Sequence, residues 1–442
     1  MIELTRLEGV VSEAAVLVAV VLDDHPVCGA PLEELAGLAK TAGARVVGQL
    51  TQRRQAPDAT TYIGKGKVEE LKFLVGDADA DVVLFDNDLS PGQTRNLEKT
   101  LGVKVLDRTE LILDIFAGRA RTYEARLAVE LAQLEYSLPR LKRMWTHLSR
   151  QKKGIGLRGP GEKQLETDRR LVERRIHDLR TEVKTIHRRR QREVATRGDL
   201  MTVSLVGYTN AGKSTLLNQL TGADVLTQDA LFSTLDTRTR RWQLPGWGPV
   251  LLSDTVGFIR SLPHHLIASF QATLEEARQA HLLLHVADAG NPAVLEQISA
   301  AYKVLEEIGL ETKETLLVLN KIDAMADRAR LQGLLSRYPN AVPISARTGI
   351  GFGPLAAAVS EALSRAFLDV DVELEAGNGR LMAYLAAHGE VLSKQFRDSR
   401  VVVHCRVPQK HLGRIHGDEC VIRRHTNGAG AESGEATAIE EP

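Results

Sequence analysis

Cysteine is nearly absent from this chain: Cys28, Cys405 and Cys420 are its 3 cysteines in 442 residues, and they show no paired or metal-ligand spacing. That gives no support to a disulfide scaffold or a cysteine-based metal site, and it fits a reducing compartment in which the three are expected as small buried residues. Long apolar runs are missing as well. No stretch approaches the roughly 20 residues that a membrane helix needs, and the start "MIELTRLEGV" lacks the basic segment and apolar centre of a signal peptide. A soluble, cytoplasmic protein is expected. Aromatic residues make up only 4% of the chain, and the basic stretch between Pro139 and Leu200 has little aromatic interleaving beyond Trp145, so base stacking is not its main mode of recognition. There is no net charge of one sign either, since 57 Lys and Arg balance 57 Asp and Glu.

That balance hides a local asymmetry. Between Pro139 and Leu200 there are 19 Lys and Arg against 8 Asp and Glu, an excess of about 11 positive charges. The last segment, "TNGAGAESGEATAIEEP" from Thr426, carries four Glu, no base and almost nothing apolar, the composition of a disordered tail. A chain of this length exceeds one ordinary core, so several domains are expected.

Residues 13 to 106 alternate apolar runs ("AAVLVAVVLD", "ARVVGQLTQ", "DVVLFDN", "VKVLD") with helical stretches ("PLEELAGLAKTAG", "KGKVEELKFLVGDA", "SPGQTRNLEKTLG"), which predicts a small parallel α/β sheet. Further on, Leu127, Leu131, Leu134, Leu138 and Leu141 step at heptad spacing, and Val172, Ile176, Leu179, Val183 and Ile186 repeat it. Two such runs around the glycine-rich "GIGLRGPGE" predict an antiparallel two-helix coiled coil with residues 154–162 at its tip and a kink at Pro139. An internal bundle is the alternative, against which the Arg and Lys density argues. From "MTVSLV" a doubly wound sheet is predicted, followed by a small C-terminal α/β domain. The expected segments are 1–107 (parallel α/β), 108–200 (helical hairpin), 201–367 (nucleotide domain), 368–425 (small domain) and 426–442 (tail).

"GYTNAGKS", Gly207 to Ser214, follows a strand and opens the helix "STLLNQLTG". In that context the loop's backbone N–H groups, from Gly207, Tyr208, Thr209, Asn210, Ala211 and Gly212 through Thr215, surround phosphates; Lys213 reaches the β and γ groups and Ser214 ligates Mg²⁺. Asp254 ends "VLLSD" and is placed to hold the Mg²⁺ shell through water, with Thr255 and Val256 leading to Gly257, whose N–H meets the γ-phosphate. Between them "LFSTLD" supplies Phe232, Ser233, Thr234, Leu235 and Asp236, with Thr234 as the second Mg²⁺ hydroxyl. Lys213, Thr234 and Gly257 are thus the catalytic candidates. "NKID" (Asn320, Lys321, Ile322, Asp323) comes 22 residues before Ser345, Ala346 and Arg347. A carboxylate at Asp323 accepts both the N1 and exocyclic amino protons of guanine, which adenine does not offer. GTP and GDP are the expected ligands; a P-loop kinase is the third option, which lacks an acceptor site in the sequence and is contradicted by "NKID" unless the Lys213 site prefers ATP.

One residue departs from the usual hydrolase plan. Phe258 follows Asp254-x-x-Gly257 where a water-positioning group is common, and Phe cannot orient a nucleophile. Slow intrinsic turnover with acceleration from outside is expected. His264 or His265 is a candidate for positioning water, though a solvated His is the commoner case near such a helix.

These motifs resemble the HflX family of ribosome-associated GTPases, in the Obg–HflX group, over nearly the whole chain. The more specific likenesses are "TYIGKGKVEEL" at 61–71, "DLSPGQTRNLEK" at 88–99, "GIGLRGPGEKQLETDRR" at 154–170 and "DTVGFIRSLPHHL" from 254. Departures are Thr237 and Arg238, where the family usually has Pro and Thr, and "QKKGIG" in place of a run of glycines. The resemblance implies binding to the large (50S) ribosomal subunit, rescue or splitting of stalled ribosomes, and an N-terminal domain and hairpin that face the ribosome. "YIGKGKVEE" is not a phosphate loop, so ATP use by that module stays open. Asn210 resembles the potassium ligand of cation-activated GTPases, with an ordinary loop residue as the equal alternative.

A basic projection suits RNA, because each neutralised phosphate releases counterions. Lys152, Lys153 and Arg158 at the tip and Arg188, Arg189 and Arg190 on the second arm are the candidate contacts. A monomer is expected. The rival reading is a nucleotide-gated switch that binds another RNA or a protein.

Overall fold

The structure is a computed structural model that describes residues 13–22, 31–144, 160–196, 200–222, 232, 238–245, 247–260, 271–325, 327–365, 367–397, 399–408 and 420–425. The chain divides into two compact units, 1–358 and 359–442, with the division inside the helix Phe352–Arg365. Among the described residues no helix is long and apolar enough to cross a membrane. Cys28 and the tail 426–442 lie outside the described residues.

The first unit opens with four parallel strands, β1 (Ala14–Leu22), β2 (Arg45–Arg54), β3 (Val82–Phe85) and β4 (Lys104–Leu106), in the order β2-β1-β3-β4. Helices cover both faces, which is why β1 reads as an unbroken apolar run. Ala15, Leu17 and Ala19 face the core under α1 (Glu33–Ala42) and α4 (Arg108–Arg119). Val16, Val18 and Val20 face the opposite core under α2 (Lys65–Asp77) and α3 (Pro91–Leu101). Ser90 starts α3 with a reciprocal capping box to Gln93 and Pro91 in the first turn, a boundary written locally as "SPGQ".

The hairpin comprises α5 (Tyr123–Met144) and α6 (Pro160–Thr196). Leu127, Leu131, Ile176 and Leu179 form its buried seam, flanked by Leu134, Leu138, Val172, Val183 and Ile186, the positions that heptad spacing selects. The pairs Tyr123–Glu182 and Glu130–Arg175 step in opposite directions along the two helices, so the arms are antiparallel. α5 continues through Pro139 to Met144, and α6 begins at Pro160, so residues 160–162, expected in the tip loop, are helical. Proline suits a first helical position because its missing N–H has no partner there. At the hairpin's base Asp107 caps α4 and receives Tyr136 and Arg140 from α5, with the Arg140 guanidinium 3.5 Å from the Tyr136 ring centroid.

A six-stranded sheet follows in the order β10-β9-β8-β5-β7-β6. β5 (Thr202–Val206), β7 (Gly248–Asp254), β8 (Leu282–Asp288), β9 (Thr315–Asn320) and β10 (Val342–Pro343) are parallel, and β6 (Arg238–Leu244) is antiparallel to β7. β6 had no strand expectation, because "RTRRWQL" buries only Trp242 and Leu244 at the sheet's edge. Helices α7 (Lys213–Thr221), α8 (Gln271–Gln279), α9 (Val294–Glu307), α10 (Arg328–Arg337) and α11 (Phe352–Arg365) complete the layers.

The second unit is built around an antiparallel sheet, β12-β13-β11-β14, on which, among the described residues, the helix α12 (Gly379–His388) packs. Its strands are β11 (Phe367–Glu375), β12 (Glu390–Arg397), β13 (Arg400–Pro408) and β14 (Cys420–Arg424). β12 and β14 were not foreseen, since their polar alternation leaves little apolar signal. Val370, Val372, Leu374, Val401, Val403, Cys405 and Val407 line one face with Leu385 of α12, and the other face is charged.

Candidate functional site

The site lies where β5, β7 and β9 end. Gly207 leaves β5, and the loop closes on itself by the Ala211 N–H donating to the Tyr208 carbonyl at 3.3 Å. Gly212 then starts α7 at φ 93°, and a Cβ there would stand 2.3 Å from Asn320 Nδ2. Only glycine lets the loop pass that side chain. Lys213 is buried, and its amine donates to the carbonyls of Gly207 at 3.1 Å and Tyr208 at 2.9 Å, folded over the loop it would serve. Burial pushes it down to about 8, with Asp254 opposing. Asn210 is exposed at φ 60°, and Thr215 is half-buried in the first turn of α7.

Ser214 Oγ donates to Asp254 Oδ2 at 2.5 Å across that floor, and Asp254 is fully buried. A helix-start hydroxyl against a strand-end carboxylate is a pair of hard oxygen donors, the set that suits Mg²⁺. Thr255 turns inward, its hydroxyl donating to the Leu205 carbonyl at 2.7 Å. Gly257 follows so closely that a Cβ would meet Thr209 Cα at 2.8 Å and Lys213 Nζ at 3.0 Å. The Phe258 ring, 3% exposed, packs among Val206, Tyr208, Ala277 and Leu283. Its backbone is tied twice to the loop: the Phe258 N–H donates to Gly207 O at 2.9 Å, and Phe258 O accepts from Thr209 N at 2.7 Å.

The base side is braced by Asn320, whose Nδ2 donates to the Ala211 carbonyl at 2.8 Å and whose Oδ1 accepts from the Ala346 N–H at 2.9 Å. Asp323 accepts from Ser345 Oγ at 2.6 Å and pairs with Arg347 at 2.9 Å. The Ser345 hydroxyl first, and then Arg347, hold its carboxyl below the usual range, so it is an ionised acceptor. Lys321, at φ 64°, pairs with Asp288 at 2.8 Å, and Ile322 packs its side chain toward the core beneath.

Several expected contact residues turn away from the cleft. Phe232 is buried with its ring edge-on to Phe116 of α4 at 4.6 Å, and Val256 and Ile259 join the same N-terminal core, so Phe232 and Val256 offer backbone only. The Tyr208 hydroxyl donates to Glu34 Oε1 of α1 at 2.9 Å. Burial, then Glu34, hold that phenol well above its ordinary range, so it stays a donor. Ser233, Thr234, Leu235, Asp236, His264 and His265 lie outside the described residues, as do Lys152, Lys153 and Arg158. Arg188 and Arg189 are exposed on α6; only the backbone of Arg190 is described.

Sequence reading missed what surrounds Tyr208. Arg108 of α4, 3% exposed, pairs with Glu34 at 2.9 Å and Asp86 at 2.6 Å and donates to the Arg260 carbonyl at 3.2 Å. Arg260 pairs with Asp86 at 2.5 Å, and its N–H donates to Tyr208 Oη at 2.6 Å. Five residues from the N-terminal domain, the phosphate loop and the turn after Gly257 thus form one hydrogen-bonded charge network. His285 on β8 was also missed, although a histidine inside the apolar run "LLLHVA" marks it. It is buried edge-on to Tyr302 at 5.1 Å, and burial, then Lys213, push it down to about 4, so it is neutral.

Three family models match in chain order: a GTP-binding GTPase N-terminal region over residues 30–117, a GTP-binding GTPase middle region over 119–197, and a 50S ribosome-binding GTPase over 202–321. The chain is 50% identical over 353 residues to the GTPase HflX of Escherichia coli K12, covering 79% of this chain and 83% of that one. It is 46% identical over 395 residues to the GTPase HflX of Magnetococcus marinus, with 88% and 91% covered. With that of Lacrimispora saccharolytica it shares 43% over 415 residues, covering 93% and 96%.

Proposed function

The chain belongs to the HflX family of GTPases, and we propose that it acts on the large ribosomal subunit, promoting rescue or splitting of stalled ribosomes with GTP turnover stimulated there. The match of residues 202–321 to a 50S ribosome-binding GTPase supports the partner. The observation that carries the coupling is the shared core and charge network between the N-terminal domain and residues that flank the nucleotide: Tyr208, Phe232, Val256, Ile259 and Arg260. Asp107, Tyr136 and Arg140 join that domain to the hairpin. Force or order imposed on the basic arms therefore reaches both segments that must close on a γ-phosphate.

In this reading the loop Gly207–Thr215 cradles the phosphates, and Lys213 exchanges its two carbonyl partners for phosphate oxygens. Ser214 and Thr234 would hold Mg²⁺, with Asp254 supporting it through water; the ion would supply positive charge against that developing on the phosphate oxygens. Gly257 presents its N–H to the γ-phosphate. Asp323 takes guanine, braced by Asn320, covered by the Lys321 stem with Ile322 in the turn beneath, and closed by Ser345, Ala346 and Arg347. Lys152, Lys153, Arg158, Arg188, Arg189 and Arg190 contact ribosomal RNA.

The test is GTP turnover with and without purified large subunits. Stimulation of at least about tenfold, declining as salt rises, is expected, because ordering a phosphoryl-transfer site is worth powers of ten and RNA contacts release counterions. Equal rates, or no pelleting with subunits when a GTP analogue replaces GDP, would defeat the reading in favour of a switch for another RNA or protein.

Lys213 adds a pH dependence to binding. In the free site its amine loses its proton near pH 8, whereas phosphates beside it favour the charged form. Binding above that pH therefore takes up a proton, and GTP affinity falls by up to about tenfold per pH unit there. Titration calorimetry from pH 7 to 9 in buffers of different ionisation enthalpy reads both effects; a flat affinity with no proton uptake would contradict it.

A further inference from the structure

The charged face of the C-terminal sheet carries a crossed pair of imidazoles. Asp369 and Asp371 point outward from the central strand β11, while Val370 and Val372 point into the core. β13 and β14 flank β11 on either side. His404 of β13 stands opposite Asp371, and the His425 N–H, just past β14, donates to the Asp369 carbonyl at 2.9 Å. Each ring then reaches diagonally: His404 Nε2 lies 2.6 Å from Asp369 Oδ1, and His425 Nδ1 lies 2.9 Å from Asp371 Oδ2. The rings meet above the strand, stacked at 3.6 Å.

We propose that Asp371, His404 and His425 form a Zn²⁺-binding site. One donor atom from each lies within 4.8 Å of the others. A tetrahedral zinc with bonds of 2.0–2.1 Å needs donors about 3.3 Å apart and ring lone pairs that converge on it, so the two imidazoles must turn out of their stack, on fixed strands, to close the set. Two imidazoles and a carboxylate are borderline donors that suit zinc over magnesium or calcium, and water completes the fourth position. Asp369 supplies the outer support: it accepts from His404 Nε2, which leaves the other ring nitrogen for the ion, and Arg406 at 3.6 Å balances its charge. One layer along the strand the pattern changes. Glu373 is met by Arg400 at 2.9 Å and Arg423 at 3.9 Å, guanidiniums with no lone pair to give. The sheet thus sets a metal-competent base against each of Asp369 and Asp371, whereas the partners of Glu373 are guanidiniums. A zinc here would clamp β13 and β14 to β11, closing the second unit at its last strand.

Equilibrium dialysis and calorimetry of the chelator-treated full chain with ZnCl₂ test this, with Co²⁺ absorption reporting coordination. Wild type is expected to hold one more equivalent of Zn²⁺ than the His404→Ala/His425→Ala double variant, and Asp369→Asn to bind 10- to 100-fold more weakly through loss of ring orientation. His425→Gln keeps a polar partner for Asp371 and protects against a folding artefact: its Co²⁺ band should vanish while its circular dichroism stays native. Equal zinc stoichiometry in wild type and the double variant, or an unchanged Co²⁺ spectrum in His425→Gln, would overturn the site and leave an ion-pair ladder.

Discussion

Phe258→Gln is expected to destabilise the GTPase domain by about 3–5 kcal/mol and to leave GTP turnover no faster than wild type. The position invites the opposite guess, because a glutamine after Asp-x-x-Gly is a familiar way to orient water. Geometry decides. The two backbone bonds between Phe258 and the Gly207–Thr209 segment fix which way its side chain leaves, and that direction is into the cluster of Val206, Tyr208, Ala277 and Leu283. A glutamine placed there loses the aromatic contacts, a loss on the scale of about 3–5 kcal/mol for large-to-small changes, and buries an amide without partners. Swinging it toward a γ-phosphate would break both backbone bonds instead, each worth about 1 kcal/mol before the exposed cavity is counted. Denaturant unfolding and single-turnover hydrolysis together check it. Faster hydrolysis with an unchanged midpoint would show that the backbone there is free to re-aim the side chain.

The residue's chemistry was legible before its location was: an apolar side chain cannot position water, wherever it sits. The same split runs through the molecule. The phosphate loop, "NKID" with Ser345 beyond it, the α3 capping box and the coiled-coil seam are written in short spacings, so composition and periodicity expose them. β6, β12 and β14 carry polar or arginine-rich alternation on strands with one exposed face, which gives little apolar signal. Least legible were the contacts across the chain. Glu34 and Arg260 are 226 positions apart, and Asp86 and Arg260 174; nothing local in "PLEELAG" or "GFIRS" says that these charges meet. Phe232 fell in the same gap. Its place in a switch-like segment suggested the nucleotide, and only the packing against Phe116 assigns its ring to the interface with the N-terminal domain.

That interface yields the other large effect. Arg108→Met is expected to cost about 3–5 kcal/mol, because it strips the most buried cation from Glu34 and Asp86 and leaves carboxylate charge with too little compensation. Removing the demand along with the supply should recover part of the loss. In Arg108→Met/Asp86→Leu the remaining partner Arg260 is 32% exposed along its side chain and can turn to water, so the double variant is expected to be more stable than the single one. Simple additivity in denaturant melts would mean that the charges act independently. The functional consequence follows from where the network ends. Glu34 holds the Tyr208 hydroxyl, and that oxygen in turn holds the Arg260 N–H, so the network grips the phosphate loop and the turn after Gly257 together. Loosened there, the protein should keep its GTP turnover in isolation; on the proposed ribosomal role it should respond less to large subunits while still pelleting with them, since a pull on the hairpin would no longer reach both segments. Full ribosomal stimulation in Arg108→Met would place the coupling elsewhere, in the apolar contacts of Phe232, Val256 and Ile259 alone.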